Sequence, residues 1–306
     1  NDQILWDIFG NEKDAIAEHF MYQENGVYHF KQEYDCQRKL AEYFKKNPRK
    51  NAEEKLISLA ANVLFLQEFN GTDYVYHPRF NINKTISYQY LSDWEKKQLY
   101  DLYVDYFFRR QDGLWYQKAM EKLPMLLAAT DMLICGEDLG LVPDCVPVVM
   151  DKLGITALKV QRSPKEDVPY YDPQTASYMN VVTASSHDSS TLRQWWKENR
   201  ELTQHYFNNQ LKQFGTSPSE LLPELAEIIM KQHLHSEAML AIFPIQEYFA
   251  TDYEIVNPYA DDERINNPAV FPHYWRYRMH ISIEELLQKG YFNNKIAHFV
   301  AESGRN

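Results

Sequence analysis

Ile134-Cys135-Gly136-Glu137-Asp138-Leu139-Gly140 and Ala184-Ser185-Ser186-His187-Asp188 are the two stretches on which the reading of this chain turns. Each closes a short apolar run, residues 132–135 and 181–184, of the kind that forms a buried strand. Each therefore sets a carboxylate where a strand ends. The separation of Glu137 from Asp188 leaves room for two βα units. Carboxylates at the ends of different parallel strands are the arrangement with which (β/α)8 enzymes work on glycosidic bonds.

Working outward, two further strand-like runs stand at 157–160 and 239–243. Helical stretches at about 143–153, 190–213 and 220–235 separate the four. Such alternation predicts parallel strands. Four units make half of an eight-stranded barrel, so the fold class is α/β, with residues 126–306 as half a (β/α)8 barrel. Residues 1–125 read as a mostly helical region. Asn25-Gly26 between short apolar stretches predicts a hairpin. A helix over 36–44 precedes a basic stretch, 45–50, expected to be a solvated loop. Leu56, Leu59, Ala60 and Val63 mark one face of another helix. Residues 74–81 are aromatic but broken by Pro78, which predicts a loop or an edge strand. Ser92 and Glu95 form a capping box, opening a helix expected to reach about 111 and to end at Gly113. A helix over 114–123 is then expected to be interrupted or restarted by Pro124. The change of rhythm near 125 is the one domain boundary. No linker and no internal repeat marks another.

Composition narrows the function. The 306 residues suffice for a sizeable core, and 44% hydrophobic with 25% charged is ordinary for a globular protein. Only 10 glycines lean the chain toward helix. The net charge of −11 argues against a nucleic-acid partner, because phosphate binding needs a basic face. No run approaches a membrane span, and no signal-peptide pattern opens the chain. Cys36, Cys135 and Cys145 are too few and odd in number for a disulfide framework and suit a reducing, cytoplasmic setting. The chain starts at Asn1, which suggests a piece of a longer protein. With 22 Tyr and 6 Trp it has rings enough for a sugar cleft, though cores and interfaces use rings as well.

The two carboxylates admit two readings each. A desolvated Glu137 can serve as a proton donor, whereas the same acid at a helix start is favoured by the helix dipole. Asp188 can stabilise an oxocarbenium-like transition state, with His187 donating to sugar hydroxyls, but Ser186 or Asp188 can equally cap a helix at 189. His187, Asp188, His233 and His235 match no metal-binding spacing, and no phosphate loop is present, so neither a metal nor another cofactor is called for. Residues 262–280, rich in Arg, Asn and rings, are candidates for stacking on and hydrogen-bonding to glucose units, or for a structural loop and helix.

Taken together, ICGEDLGLVP, VVTASSHDSSTLRQWW, LAIFPIQEYF and DERINNP followed by HYWRYR resemble the 4-α-glucanotransferases of glycoside hydrolase family 77, the amylomaltases or disproportionating enzymes. HPRFN, FRRQDGLW and LPMLL extend the likeness to the plant-type branch, which carries a helical insertion ahead of the GEDLG strand. The resemblance implies that 126–306 is the C-terminal half of the barrel. It implies Glu137 as general acid/base, Asp188 as transition-state stabiliser, and His187, Asp138 and Asn266 as substrate contacts. The substrates implied are α-1,4-glucans and malto-oligosaccharides, transferred with retention to the 4-hydroxyl of another glucan. The family's nucleophilic Asp lies in an R-x-D-H motif on an earlier strand, and this sequence has none. The expectation is therefore a chain with two of three catalytic carboxylates, inactive alone. A hydrolase of the same clan and a non-catalytic glucan-binding module are the competing readings. Half a barrel would also expose strand edges, which a second copy of the chain or its own helical region is expected to cover.

Overall fold

The computed structural model divides the chain at residue 111 into two units, Asn1–Gln111 and Asp112–Asn306. It describes residues 1–138, 140, 142–164, 168–272 and 275–305. Among them no helix is long and apolar enough to cross a membrane.

The first unit is helical with two hairpins. Helices α1 (Asp2–Phe9) and α2 (Lys13–Phe20) lead into the antiparallel pair β1 (Met21–Glu24) and β2 (Val27–Phe30). Asn25 and Gly26 turn between them at φ of 48° and 78°, a left-handed pair that those two residue types tolerate and that matches strand twist. Helices α3 (Gln37–Lys46) and α4 (Lys50–Ala60) add Leu40, Phe44, Ala52 and Leu56 to a core with Leu5, Phe9, Ile16 and Phe20. Residues 45–50 are all exposed, but helix reaches into both ends of the stretch, leaving a three-residue link. Val63 lies past the end of α4 and is exposed, so it does not share the face of Leu56.

A second hairpin pairs β3 (Phe65–Phe69) with β4 (Tyr74–Pro78). Pro78 takes the last place of this edge strand, where a missing N–H does no harm. After α5 (Ile86–Gln89), α6 (Asp93–Val104) opens at the Ser92–Glu95 capping box. It does not hold its pitch to 111. A wider turn over Asp105–Arg109 follows, tied off where the Arg110 amide donates to the Asp105 carbonyl and its Nε to the Asp105 carboxylate at 2.7 Å.

The second unit is α/β. Gly113 lies in the first turn of α7 (Asp112–Ala128), not at a helix end, and Pro124 sits inside α7 without breaking it. A proline this near the C-terminus forfeits one helical hydrogen bond, and the helix continues past it for four residues. Strands β5 (Cys135–Gly136), β6 (Thr156–Val160), β7 (Asn180–Thr183) and β8 (Leu240–Ala241) are all parallel and lie side by side in chain order. Leu158, Val181 and Leu240 stand in register across three of them. Between the strands run α8 (Cys145–Leu153), α9 (Leu192–Glu198), α10 (Arg200–Asn209) and α11 (Pro223–Leu234). The helical stretch expected at 190–213 is two helices, because Asn199 leaves helical geometry and its Oδ1 caps α10 at the amides of Glu201 and Leu202. The chain closes with α12 (Ile245–Phe249), α13 (Ile283–Gln288) and α14 (Gly290–Glu302).

Strand alternation divides β7 between two tasks. Val182 and Ala184 point into apolar clusters, the latter with Trp195, Trp196, Tyr206 and Ile229, while Val181, Thr183 and Ser185 line a pocket on the opposite side. Trp196 is wholly buried there, with its indole N–H donating to the Pro218 carbonyl at 3.0 Å. Trp196→Ala should lower unfolding free energy by about 3–5 kcal/mol, the usual loss for a large core side chain, as read from denaturant unfolding of the protein.

Candidate active site

Parallel pairing places the chain following β5, the chain following β7 and the chain following β8 at one end of the sheet. Glu137 directly follows β5, and its exposed side chain borders a pocket of about 420 Å³. His187, from the loop after β7, borders the same pocket. Its floor is Leu158, Val181 and Thr183, and Phe243 and Pro244 come from beyond β8. The site therefore has an apolar base and polar groups at its rim, the usual make-up of a small-molecule pocket.

Asp188 meets a neighbour at each oxygen. Asn266 Nδ2 donates to Oδ1 at 2.6 Å, and His187 Nε2 lies 3.3 Å from Oδ2. The Asn266 backbone amide also donates to the His187 carbonyl at 3.0 Å, so one residue grips both members of the pair. The Trp275 ring stands 5.1 Å from the His187 ring, tilted by 41°. Both His187 and Asp188 stay about half exposed, at 51% and 45% of their side-chain surface. Asp188 does not cap α9. Thr191 does, in a capping box with Gln194.

Asp138 turns elsewhere. Its Oδ1 accepts the Leu158 amide of β6 at 3.0 Å, one step beyond the last β5–β6 backbone pair, Gly136 with Ala157. That carboxylate extends the ladder where β5 stops. Leu139, Leu141, His273 and Tyr274 of the sequence motifs lie outside the described residues. Of the remaining histidines, His233 is buried in α11, its ring held near pKa 4 by desolvation, with Nδ1 bonded to the Ile229 carbonyl. Among the described residues no three His, Cys, Asp or Glu side chains gather as a metal site.

Sequence reading passed over two buried glutamates just behind this rim. Glu247 of α12 accepts the Ser185 hydroxyl and, at 3.0 Å, the Leu192 amide. Glu263 pairs with Arg193 and accepts the Thr191 hydroxyl at 3.0 Å. Both are almost completely buried, Glu247 at 2% and Glu263 at 1% exposure. Burial pushes the Glu247 carboxyl up to about 7. The Ser185 and Leu192 donors oppose this, Glu263 adds to it, and Arg162 pulls it down.

The family model described as 4-alpha-glucanotransferase matches residues 19–284. The chain belongs to this family. The rice protein named 4-alpha-glucanotransferase DPE2 (Oryza sativa subsp. japonica) is 35% identical over 314 residues, covering 99% of this chain and 33% of the rice protein. The 4-alpha-glucanotransferase of Chlamydia pneumoniae is 29% identical over 188 residues, covering 60% of this chain and 35% of its own length. That of Chlamydia caviae is 34% identical over 183 residues, or 57% and 33%. Among solved structures, the amylomaltase from Streptococcus agalactiae in complex with acarbose has a TM-score of 0.47 at 15% identity, over 61% of this chain and 35% of that one. The chain thus spans about a third of the length of the relatives it matches.

Within this member of the 4-alpha-glucanotransferase family, the Glu247 shift has a definite sign. The folded protein holds that proton up to about pH 7, the unfolded chain only to about 4.5. The stabilising contribution is complete below pH 4.5 and drains away as pH rises to 7. Glu247→Gln cannot ionise. Relative to the parent protein, its stability should climb between pH 4.5 and 7 and level off above, in a series of thermal unfolding curves. Parallel curves for the two proteins over that range would contradict the assignment.

Proposed function

We propose that the chain supplies part of the catalytic face of a 4-α-glucanotransferase, which moves α-1,4-linked glucosyl units between malto-oligosaccharides or longer glucans. The observation that carries this reading is the Asp188 carboxylate, gripped by Asn266 and His187 beside the pocket that Glu137 borders, in a chain of this family.

In this reading Glu137 is the general acid/base. It protonates the glycosidic oxygen as the donor glucan leaves, then takes the proton from the acceptor 4-hydroxyl as the new bond forms. Its exposed position beside the pocket supports the role, because both proton transfers need contact with arriving and departing sugars. Asp188 supports positive charge developing on the sugar ring. Asn266 holds its Oδ1 before substrate arrives. His187 and Asn266 then contact sugar hydroxyls next to the scissile bond. Asp138 has one oxygen committed to Leu158, which favours an orienting part for it over a direct one.

Retaining transfer also needs a nucleophilic carboxylate about 5 Å from the acid/base. No R-x-D-H motif stands in the sequence, so we assign that carboxylate to a segment beyond these residues. Four parallel strands in chain order support reading residues 126–306 as the C-terminal half of a (β/α)8 barrel.

The full-length protein incubated with maltotriose should yield glucose and longer oligosaccharides. Glu137→Gln should cut that transfer by at least about 100-fold, the lower range for loss of a general acid/base. Glucose without chain elongation would replace transfer by hydrolysis. The 306-residue chain by itself should show no transfer, and product from it would refute the missing-nucleophile assignment.

A further inference from the structure

The loop joining β7 to α9 carries His187 and Asp188 on half-exposed side chains, so packing does little to hold them. Its two ends converge on a single buried group. At the strand end the Ser185 hydroxyl, 1% exposed, donates to Glu247 Oε1. At the helix end the Leu192 amide donates to Oε1 at 3.0 Å and reaches Oε2 at 3.3 Å. We propose that Glu247 is a positioning residue, clamping residues 185–192 so that Asp188 meets the reacting sugar in a fixed orientation. The inference rests on the transferase reading above.

The donors explain why a carboxylate belongs there. Leu192 is the first residue of α9, and its amide has no acceptor within the helix. An apolar side chain at 247 would leave that amide and the Ser185 hydroxyl buried and unpaired, which costs more than the bonds themselves return. Other contacts shape the loop but do not join its ends. Ser186 N donates to Ser189 Oγ at 2.9 Å, and Arg162 donates to the Ser190 carbonyl at 2.7 Å. Glu263 braces Thr191 and Arg193 from the segment that brings Asn266 to Asp188. Glu247 alone spans from the end of β7 to the start of α9 among the hydrogen bonds described.

The charges around Glu247 fit a geometric part better than a chemical one. Arg162 on one side is paired with Glu198 at 3.0 Å, and Glu263 on the other is paired with Arg193. Proton exchange with substrate would require the carboxylate to reach the pocket, and its bound oxygens face Ser185 and Leu192 instead.

The test uses the full-length protein with maltotriose. Glu247→Ala should lower kcat roughly 100-fold with KM little changed, because a loosened stabiliser loses transition-state contact more than ground-state binding. Glu247→Gln keeps one acceptor oxygen and should restore kcat to within a few-fold of the parent. Should the alanine variant fail to fold, Glu247→Asp, too short to bridge both donors, takes its place and should show the same loss. In the Asp188→Asn background, Glu247→Ala should add little further loss, since the group it positions is already gone. Parent-like kcat in the alanine or aspartate variant, or losses that multiply in the double variant, would overturn the proposal. Hydrogen exchange supplies an arm free of activity. Amides 186–191 should lose protection in the alanine variant while α10 and α11 keep theirs. If the parent shows no transfer, the functional reading fails, and the exchange result still decides whether Glu247 holds the loop.

Discussion

Parallel pairing of four strands in chain order is the constraint from which the site follows. A parallel sheet brings every strand's C-terminal end to the same side, so Glu137 after β5, His187 after β7, and Phe243 after β8 border one pocket despite their distance in sequence. The pairing of Leu158 with Val181 across β6 and β7 sets two apolar residues of the floor beneath them. Without that alignment the same residues would be unrelated polar groups in separate loops. The cost of the arrangement falls on the loops. They leave the sheet as hydrogen-bonded backbone stops, and their amides need other acceptors. Asp138 meets the Leu158 amide, Glu247 the Leu192 amide, and Asn266 ties the β7 loop to a segment far along the chain.

How much of this could be read from residues alone depends on how local each signal is. β6, β7 and β8 were legible because each lies in an apolar run bounded by polar loops, and the alternation with helices implied parallel pairing; of the run 132–135 only Cys135 is strand, and Met132 and Leu133 are exposed. The Asn25-Gly26 turn and the Ser92–Glu95 capping box were legible because three or four adjacent residues specify them. β3 was not, since it is mostly exposed and lacks apolar alternation, and the one available signal was Asn70-Gly71, whose asparagine side chain accepts the amides of Thr72 and Asp73. Gly113 and Pro124 misled for the opposite reason. Both are local punctuation that a long helix, α7, absorbs near its ends. The widened turn after Val104 depends on Asp105 accepting from Arg110, a contact that sequence periodicity does not encode.

The site divides the same way. Glu137, His187 and Asp188 announce themselves by standing at strand ends, and Asn266 by its place in a recognisable motif. The two buried glutamates do not. Glu247 lies in LAIFPIQEYF, an apolar segment in which a lone acid on a five-residue helix reads as a surface residue. Its partners, Leu192 and Ser185, sit 55 and 62 positions earlier in the chain. A charged residue in an otherwise apolar run was the signal available, because such residues are seldom fully buried unless something pairs with them.

The adjacent acids Glu137 and Asp138 show how this division arises from geometry. In extended chain, neighbouring side chains point to opposite sides, so the two carboxylates of one strand end cannot both face the pocket. Glu137 faces it and remains exposed, whereas Asp138 turns to the next strand and accepts the Leu158 amide of β6 at 3.0 Å. The second acid thereby extends the β5–β6 contact beside the first. The chain thus leaves β5 after two residues with one acid at the pocket and its neighbour bonded to the next strand.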